Sequence, residues 1–577
     1  MKKVFYLFVF IVVCNCRNEK PSYDFETRFE KSDGIETTTH HQTISFFKDL
    51  AEVYDEINID SIGKTDSGEP LHIVTLNTDK NFDFETIRKS KRILLINNGI
   101  HSGESDGIDA TMMLFRDIVN GKIEIPKNTV LVTIPIYNVG GSLNRNSTTR
   151  TNQNGPKAYG FRGNARNYDL NRDFIKSDTK NARTFAHIFH LVKPDVFIDN
   201  HVSNGADYQY TLTHLFTQHN KLGGSLGNYI HTQMMAKLEK KLFNKDWDIT
   251  PYVNVFNDIP EKGFSQFMDY PRYSTGYTTL FNTFGMMVET HMLKPYKQRV
   301  EGTYELMKSM IEIIEEDGKE ISKLRNSYYK KFKVGDIYSL NWEIDTTKSS
   351  TLNFKGFEGE MIPSNITGFE RLKYDRSKPF EKDVSYQNYF KPTLSVEIPE
   401  AYLIPKGWFN IINLLKLNQV EMISLKKDST ITVESYKVSD YKTRTKAYEG
   451  HYPHYNVNVT TSIKDMPFKK GDFIIKTNQP SIRYIIETLE PQAPDSFFSW
   501  NFFDTILQQK EGFSPYVWED KALDILNSNE VLKTEFETKK QTNKAFAKNW
   551  YAQLDWLHKH SEHYESAHLQ YPIFRIN

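Results

Sequence analysis

Cysteine is nearly absent from this chain: two in 577 residues, at positions 14 and 16. Nothing beyond them can form a disulfide or supply a thiolate ligand. An excess of one charge is also missing, with 73 Lys+Arg against 73 Asp+Glu. Composition therefore gives no electrostatic reason to expect nucleic acid or a polybasic membrane patch. No run approaches the about 20 apolar residues that a membrane span needs. Repeats and low-complexity tracts are absent too. What the chain does have is aromatic content, 14%, which fits a packed globular protein and not a disordered one. Its length exceeds one compact core, so two or more domains are expected.

The N-terminus reads as an export signal. Lys2 and Lys3 precede an apolar run of ten residues, 4–13, too short to span a bilayer. Both cysteines follow directly. A cysteine closing a short apolar segment resembles a bacterial lipoprotein signal, with Cys16 (or Cys14) acylated; an ordinary cleaved signal is the alternative. The expectation is an exported protein, periplasmic or at the cell surface, anchored by lipid through Cys16. Residues 1–16 are then the signal and 17–39 a polar tether.

From 40 to 330, strand-like and helix-like segments alternate. Strands are expected at 71–76, 92–97, 129–136, 195–200, 208–213 and 284–289. Helices are expected at 42–57, 106–119, 179–192, 227–243 and 297–324. Such alternation predicts an α/β layered domain with a mixed sheet. Beyond 332 short strand-like stretches dominate, and helical patterns return at about 500–565. Residues 332–577 read as an accessory β-rich domain with a helical tail.

The chemistry concentrates in three places. His101 and Glu104 lie in the loop after a buried strand, where open α/β sheets put their ligands; Gly99 and Gly103 allow a tight backbone there. With 17 histidines in the chain, roughly one His-x-x-Glu is expected by chance, so context carries this one. His201 also follows an apolar strand, with Asp199 or Asn200 available to orient its ring. Two imidazoles and one carboxylate are the ligand set of a catalytic zinc with an open position. Glu289 ends a third core strand, where an unpaired carboxylate is costly unless it faces a polar cleft; there it suits a general base. Pairing with Lys294 or Arg299 is its alternative. Asn171-Arg172 is suited to grip a carboxylate.

Taken in order, His101/Glu104, Asp169-Leu170-Asn171-Arg172, His201 and Glu289 resemble the motifs of the zinc carboxypeptidase family, over about 40–325. The resemblance implies a mixed-sheet zinc carboxypeptidase-like fold and one Zn2+ per chain held by His101, Glu104 and His201. It implies cleavage of C-terminal peptide bonds by a zinc-activated water, with Glu289 as general base. It implies that Asn171 and Arg172 hold the free C-terminal carboxylate of a peptide substrate. An arginine for the oxyanion is assigned to Arg150, with Arg145 the competitor. The tyrosine that caps the substrate is assigned to Tyr273, with Tyr270 and Tyr277 as rivals. Asp173 stands where digestive members have Asn.

Other readings were open. Gly223-Gly-Ser225-Leu-Gly227 matches a nucleophile elbow, but no strand runs into it. His187 and His190 fit a solvated helix face. The same zinc chemistry on cell-wall stem peptides, or a non-catalytic surface lipoprotein binding peptide or glycan, completes the alternatives.

Overall fold

The computed structural model describes residues 23–577. The expected signal, 1–16, and the first part of the expected tether lie outside the described residues.

The sheet that carries the site contains β1 (Ile57–Lys64), β2 (Pro70–Leu76), β3 (Arg92–Asn97), β4 (Thr129–Ile134), β5 (Val196–Ser203), β6 (Leu212–Phe216) and β7 (Ile249–Pro251). After the two-residue β8 (Phe264–Ser265), which pairs elsewhere, comes its last member, β9 (Phe284–His291). The order is β1-β2-β4-β3-β5-β9-β6-β7. The central pairs β4/β3, β3/β5 and β5/β9 are parallel, so their carboxyl ends open on one edge. Alternate residues of β3 go to opposite cores. Leu94 and Ile96 pack with helices Asp106–Val119 and Tyr296–Arg325. Ile93 and Leu95 pack with Phe185, Ile188 and Phe189 of helix Lys180–Val192.

That second core continues into the C-terminal half: Tyr402, Tyr484 and Trp500 belong to the same buried cluster. The two regions are thus joined by shared apolar packing. The second region is β-rich with helices, as expected. β10 (Ile337–Ile344), β11 (Ser350–Pro363), β12 (Glu370–Gln387) and β13 (Phe390–Glu397) form two antiparallel pairs, β10 with β13 and β11 with β12. β8 adds in parallel to the end of β12. A six-stranded sheet follows, from β14 (Ala401–Ile404), β15 (Ile423–Ser424), β16 (Ser429–Thr443), β17 (His454–Phe468), β18 (Phe473–Lys476) and β19 (Gln570–Ile576), in the order β15-β18-β14-β19-β16-β17.

Three expectations need correction. The helices Pro515–Ser528, Glu530–Thr542 and Trp550–Lys559 are not a tail, because β19 follows them and sits between β14 and β16. Pro572 argues against a central strand in the sequence, yet Tyr571 and Ile573 fill one core and Phe574 another. The described part of the tether is packed. Thr27 and Glu30 form a capping box, Phe29 is buried edge-on to Tyr296, and Glu30 pairs with Arg116 at 2.6 Å. The first helix stops at Val53, and Ile57 opens the half-exposed edge strand β1, whose polar residues masked it. Among the described residues no helix is long and apolar enough to cross a membrane.

Arg299 ties these layers behind the site. It is fully buried, pairs with Asp106 at 3.0 Å, and donates to the carbonyls of Met292, Lys294, Asn154 and Gly155. Arg299→Met leaves the Asp106 carboxylate buried beside Thr290 alone. A loss of about 3–5 kcal/mol is expected, read as a lower urea midpoint; an unchanged midpoint contradicts this role.

Candidate metal centre and active-site cleft

β3 ends at Asn97 and the chain turns through Gly99, whose φ of +63° is a conformation glycine adopts freely. The turn closes with the Glu104 N–H on the His101 carbonyl at 2.8 Å. Gly103 is required here for a different reason. A Cβ would lie 2.5 Å from Arg150 Cδ and 3.0 Å from the Gly160 carbonyl. The glycine therefore lets Arg150 lie against the ligand loop.

His201 and Glu289 are brought together by register: in the parallel pair β5/β9 they are direct partners. The loop after β3 delivers the other two ligands. His101 Nδ1 is 3.1 Å from Glu104 Oε1, and His201 Nδ1 is 3.2 Å from Glu104 Oε2. Ligand atoms of all three lie within 4.8 Å of one another, and all three residues are buried. Each imidazole has a carboxylate beside its other nitrogen: His101 Nε2 is hydrogen-bonded to Asp169 Oδ1 at 3.0 Å, and His201 Nε2 lies 2.9 Å from Asp199 Oδ2 as an ion pair without hydrogen-bond alignment. Asp199 is itself held by the Asn97 amide at 2.9 Å, whereas Asn200 turns away to Asn98. Carboxylate–imidazole pairs of this kind orient metal-binding histidines, so the donor set fits a zinc held through the two Nδ1 atoms and Glu104.

The charges point the same way. Burial alone raises a carboxyl, yet His101 and Arg150 hold Glu104 well below the usual range. Burial likewise opposes charging His201, but Asp199 and Glu104 push its pKa well above the ordinary value. The carboxylates around His201 thus favour positive charge at this point. Burial pushes the Glu289 carboxyl up to about 7, against the pull of His201 and with the push of Glu104. Neither alternative partner reaches Glu289: Arg299 is committed to Asp106, and Lys294 lies over the Phe357 ring.

His101, Glu104 and His201 line a cavity of about 690 Å³ together with Arg150, Arg162, Asn171, Arg172, Tyr252, Tyr273 and Glu289. Arg150 Nη1 is 3.1 Å from Glu104 Oε1. Its competitor Arg145 faces elsewhere, donating to the carbonyls of Thr38 and Ala158. Asn171 Oδ1 accepts the Ser274 N–H at 3.2 Å, so its NH2 end remains to donate. The Arg172 guanidinium lies 4.6 Å from the centre of the Tyr273 ring. Tyr270 and Tyr277 are turned away, to Asn341 and Asn418. Asp173 is fully buried and holds Lys176 and the Thr179 N–H and hydroxyl; it does not reach the cavity. Ser225 lies in the first turn of the short helix Gly224–Tyr229, which follows another short helix with no strand leading in, and accepts from Lys331. His190 is not solvated: it packs edge-on to Phe281, and burial lowers it to about 4. Sequence reasoning assigned no role to Asp169, Arg162 or Tyr252. For Asp169 the signal was available, since it precedes the Asn-Arg pair by two positions.

Residues 43–196 match the family model described as "Zinc carboxypeptidase". The chain is 22% identical over 504 residues to "Carboxypeptidase 2" of Trichophyton rubrum, covering 81% of this chain and 85% of the relative. The Trichophyton equinum protein of the same name is 22% identical over 508 residues, with the same coverage. Among solved structures, a metallo-carboxypeptidase from Burkholderia cenocepacia aligns with 49% of this chain and 70% of its own, at 14% identity and a TM-score of 0.35. The carboxypeptidase A from Helicoverpa armigera aligns with 49% and 74%, at 14% identity and a TM-score of 0.36. The chain carries a zinc carboxypeptidase domain. Its activity is that of a metallocarboxypeptidase, a hydrolase. The matched stretch of the zinc carboxypeptidase domain holds His101, Glu104, Arg150, Asn171 and Arg172 and stops at Val196, within β5. His201 and Glu289 lie beyond it and join the site through the β5/β9 pairing.

If Asp169 orients His101, Asp169→Ala weakens zinc binding by roughly 10–100-fold while the protein stays folded. Competition with a chromophoric chelator measures this. Zinc affinity equal to that of the unmodified enzyme contradicts the assignment.

Proposed function

We propose that the enzyme is an exopeptidase that removes the C-terminal residue of peptides bearing a free carboxylate, with one zinc per chain. The observation that carries this reading is the meeting, in one cavity, of the His101/Glu104/His201 set with Asn171, Arg172 and Tyr273. His101, Glu104 and His201 hold the zinc, which when bound polarises the scissile carbonyl and makes water a better nucleophile. Arg172 and the Asn171 amide grip the substrate carboxylate, a planar anion that suits a guanidinium fork. Tyr273, whose ring lies against the Arg172 guanidinium, covers that grip. Glu289, raised by burial, accepts a proton from the attacking water and returns it to the departing amine. Arg150 donates toward the oxygen that gains charge.

The N-terminal sequence supports an exported protein anchored by lipid at Cys16. Metabolic labelling with palmitate that disappears in Cys16→Ser tests the anchor; labelling that survives the change rules out Cys16 as the acceptor.

The decisive assay compares N-blocked peptides as free acids and as C-terminal amides. Free acids are expected to be cleaved and amides spared, with activity lost to chelator and restored by zinc. Glu289→Gln is expected to keep its zinc and lose roughly 100-fold or more of kcat. Equal turnover of acids and amides contradicts the carboxylate grip, and full turnover by Glu289→Gln contradicts the base.

A further inference from the structure

One hairpin of the C-terminal half reaches the residues beside the cleft. β16 and β17 are joined by residues 444–453, closed by the Tyr448 N–H on the His451 carbonyl at 2.8 Å and the reverse bond at 3.1 Å. The two residues at the tip, Glu449 and Gly450, have φ of +49° and +80°. Positive φ at both positions is the pattern of a type I′ turn, which favours Asn, Asp or Gly at the first position. A glutamate there is strained, because its Cβ crowds the left-handed backbone. The strain is unexplained by the hairpin itself.

The tip lies across the segment that follows the carboxylate grip and the one that precedes it. Glu449 Oε2 accepts the backbone N–H of Asp169 at 2.9 Å. Gly450 abuts Tyr168 so closely that a Cβ would lie 2.7 Å from the tyrosine oxygen. His451 pairs with Asp178 at 2.7 Å, and Asp178 in turn with the buried Lys176. Tyr448 stacks on Trp500 at 6.0 Å, and its hydroxyl sits beside the Arg172 guanidinium. The tyrosine loop is held from the same side. Arg272, next to Tyr273, lies over Trp500 and pairs with Asp495 at 2.8 Å.

We propose that this hairpin is a positioning element of the active site: Glu449 fixes the backbone at Asp169, and through it both the His101 ring and the start of the Asn171-Arg172 grip. Asp169 is the atom group on which both functions converge. Its carboxylate takes His101 Nε2, and it caps the turn Leu170–Arg172 by accepting the Asn171 N–H. An unfixed Asp169 amide loosens both together. Glu449 touches neither metal nor substrate; it acts through Asp169. The effect on the grip rests on the carboxypeptidase reading, whereas the effect on zinc does not.

The test uses the full chain with Glu449→Asn, Glu449→Gln and, as a control on the same loop, the exposed Lys446→Ala. Asparagine suits the turn but is one methylene shorter. Glu449→Asn is expected to melt at the same or a higher temperature, yet to bind zinc and free-acid peptide (by KM) roughly three- to tenfold more weakly. Glu449→Gln, which retains an acceptor of the same length, is expected to recover most of both, and Lys446→Ala to match the unmodified enzyme. Glu449→Gly, the other residue suited to this turn, repeats the test if the asparagine variant does not fold. Zinc affinity and KM both unchanged in Glu449→Asn overturn the proposal. If the unmodified enzyme does not distinguish acids from amides, the grip reading fails, and weakened zinc binding in Glu449→Asn still decides the role at Asp169.

Discussion

The parallel pairing of β5 with β9 is the constraint on which the site depends. It sets His201 beside Glu289 without any side chain choosing its neighbour. Because side chains alternate along a strand, the same register puts Asp199 on the His201 face, where it meets the imidazole. A slip of one residue would turn His201 and Asp199 to the face opposite Glu289. The pairing is protected by burial: every residue of β5 is buried, and all but Glu289 of β9. The functional polar groups are thus held at the sheet edge by apolar packing on both faces, and Arg299 closes that packing from behind.

Asp169 extends the same economy to the substrate side. One residue takes the His101 imidazole on its side chain and caps the turn that presents Asn171 and Arg172. The proposed metal site and the proposed grip therefore share one residue. The C-terminal half bears on this region directly, through Glu449 on the Asp169 amide and Asp495 on Arg272. A shared core behind helix Lys180–Val192 joins the two halves beneath these contacts. The similarity to the Trichophyton relatives spans 81% of this chain, more than residues 40–330 account for, so it extends into this half as well.

Much of the site was legible because its strands are apolar runs that stop abruptly at polar residues. β3 and helix Asp106–Val119 were legible to the residue, and His101, Glu104, His201 and Glu289 all lie at such stops. Edge and late elements were not. β1 carries polar residues on a half-exposed edge, and β19 contains a proline, so local pattern opposed what tertiary pairing selects. The expected strand at 208–213 begins instead at Leu212, because Tyr208 stacks on His291 from a loop. Choices among equals also needed three dimensions. Arg145 and Arg150 read alike in sequence; the carbonyls that claim Arg145 and the cavity that Arg150 lines distinguish them. The same holds for Tyr270, Tyr273 and Tyr277, two of which are occupied by asparagines far along the chain. Glu449 was unreadable, since its partner lies 280 residues away.

The central claim is that a single cation is held by two imidazoles from two strand ends and one carboxylate. Anomalous diffraction from crystals of the zinc-loaded protein, recorded on both sides of the zinc absorption edge, tests it most directly. The account predicts one edge-dependent peak per chain, within bonding distance of His101 Nδ1, His201 Nδ1 and the Glu104 carboxylate. A peak bounded by other residues, or none at full zinc loading, would contradict it.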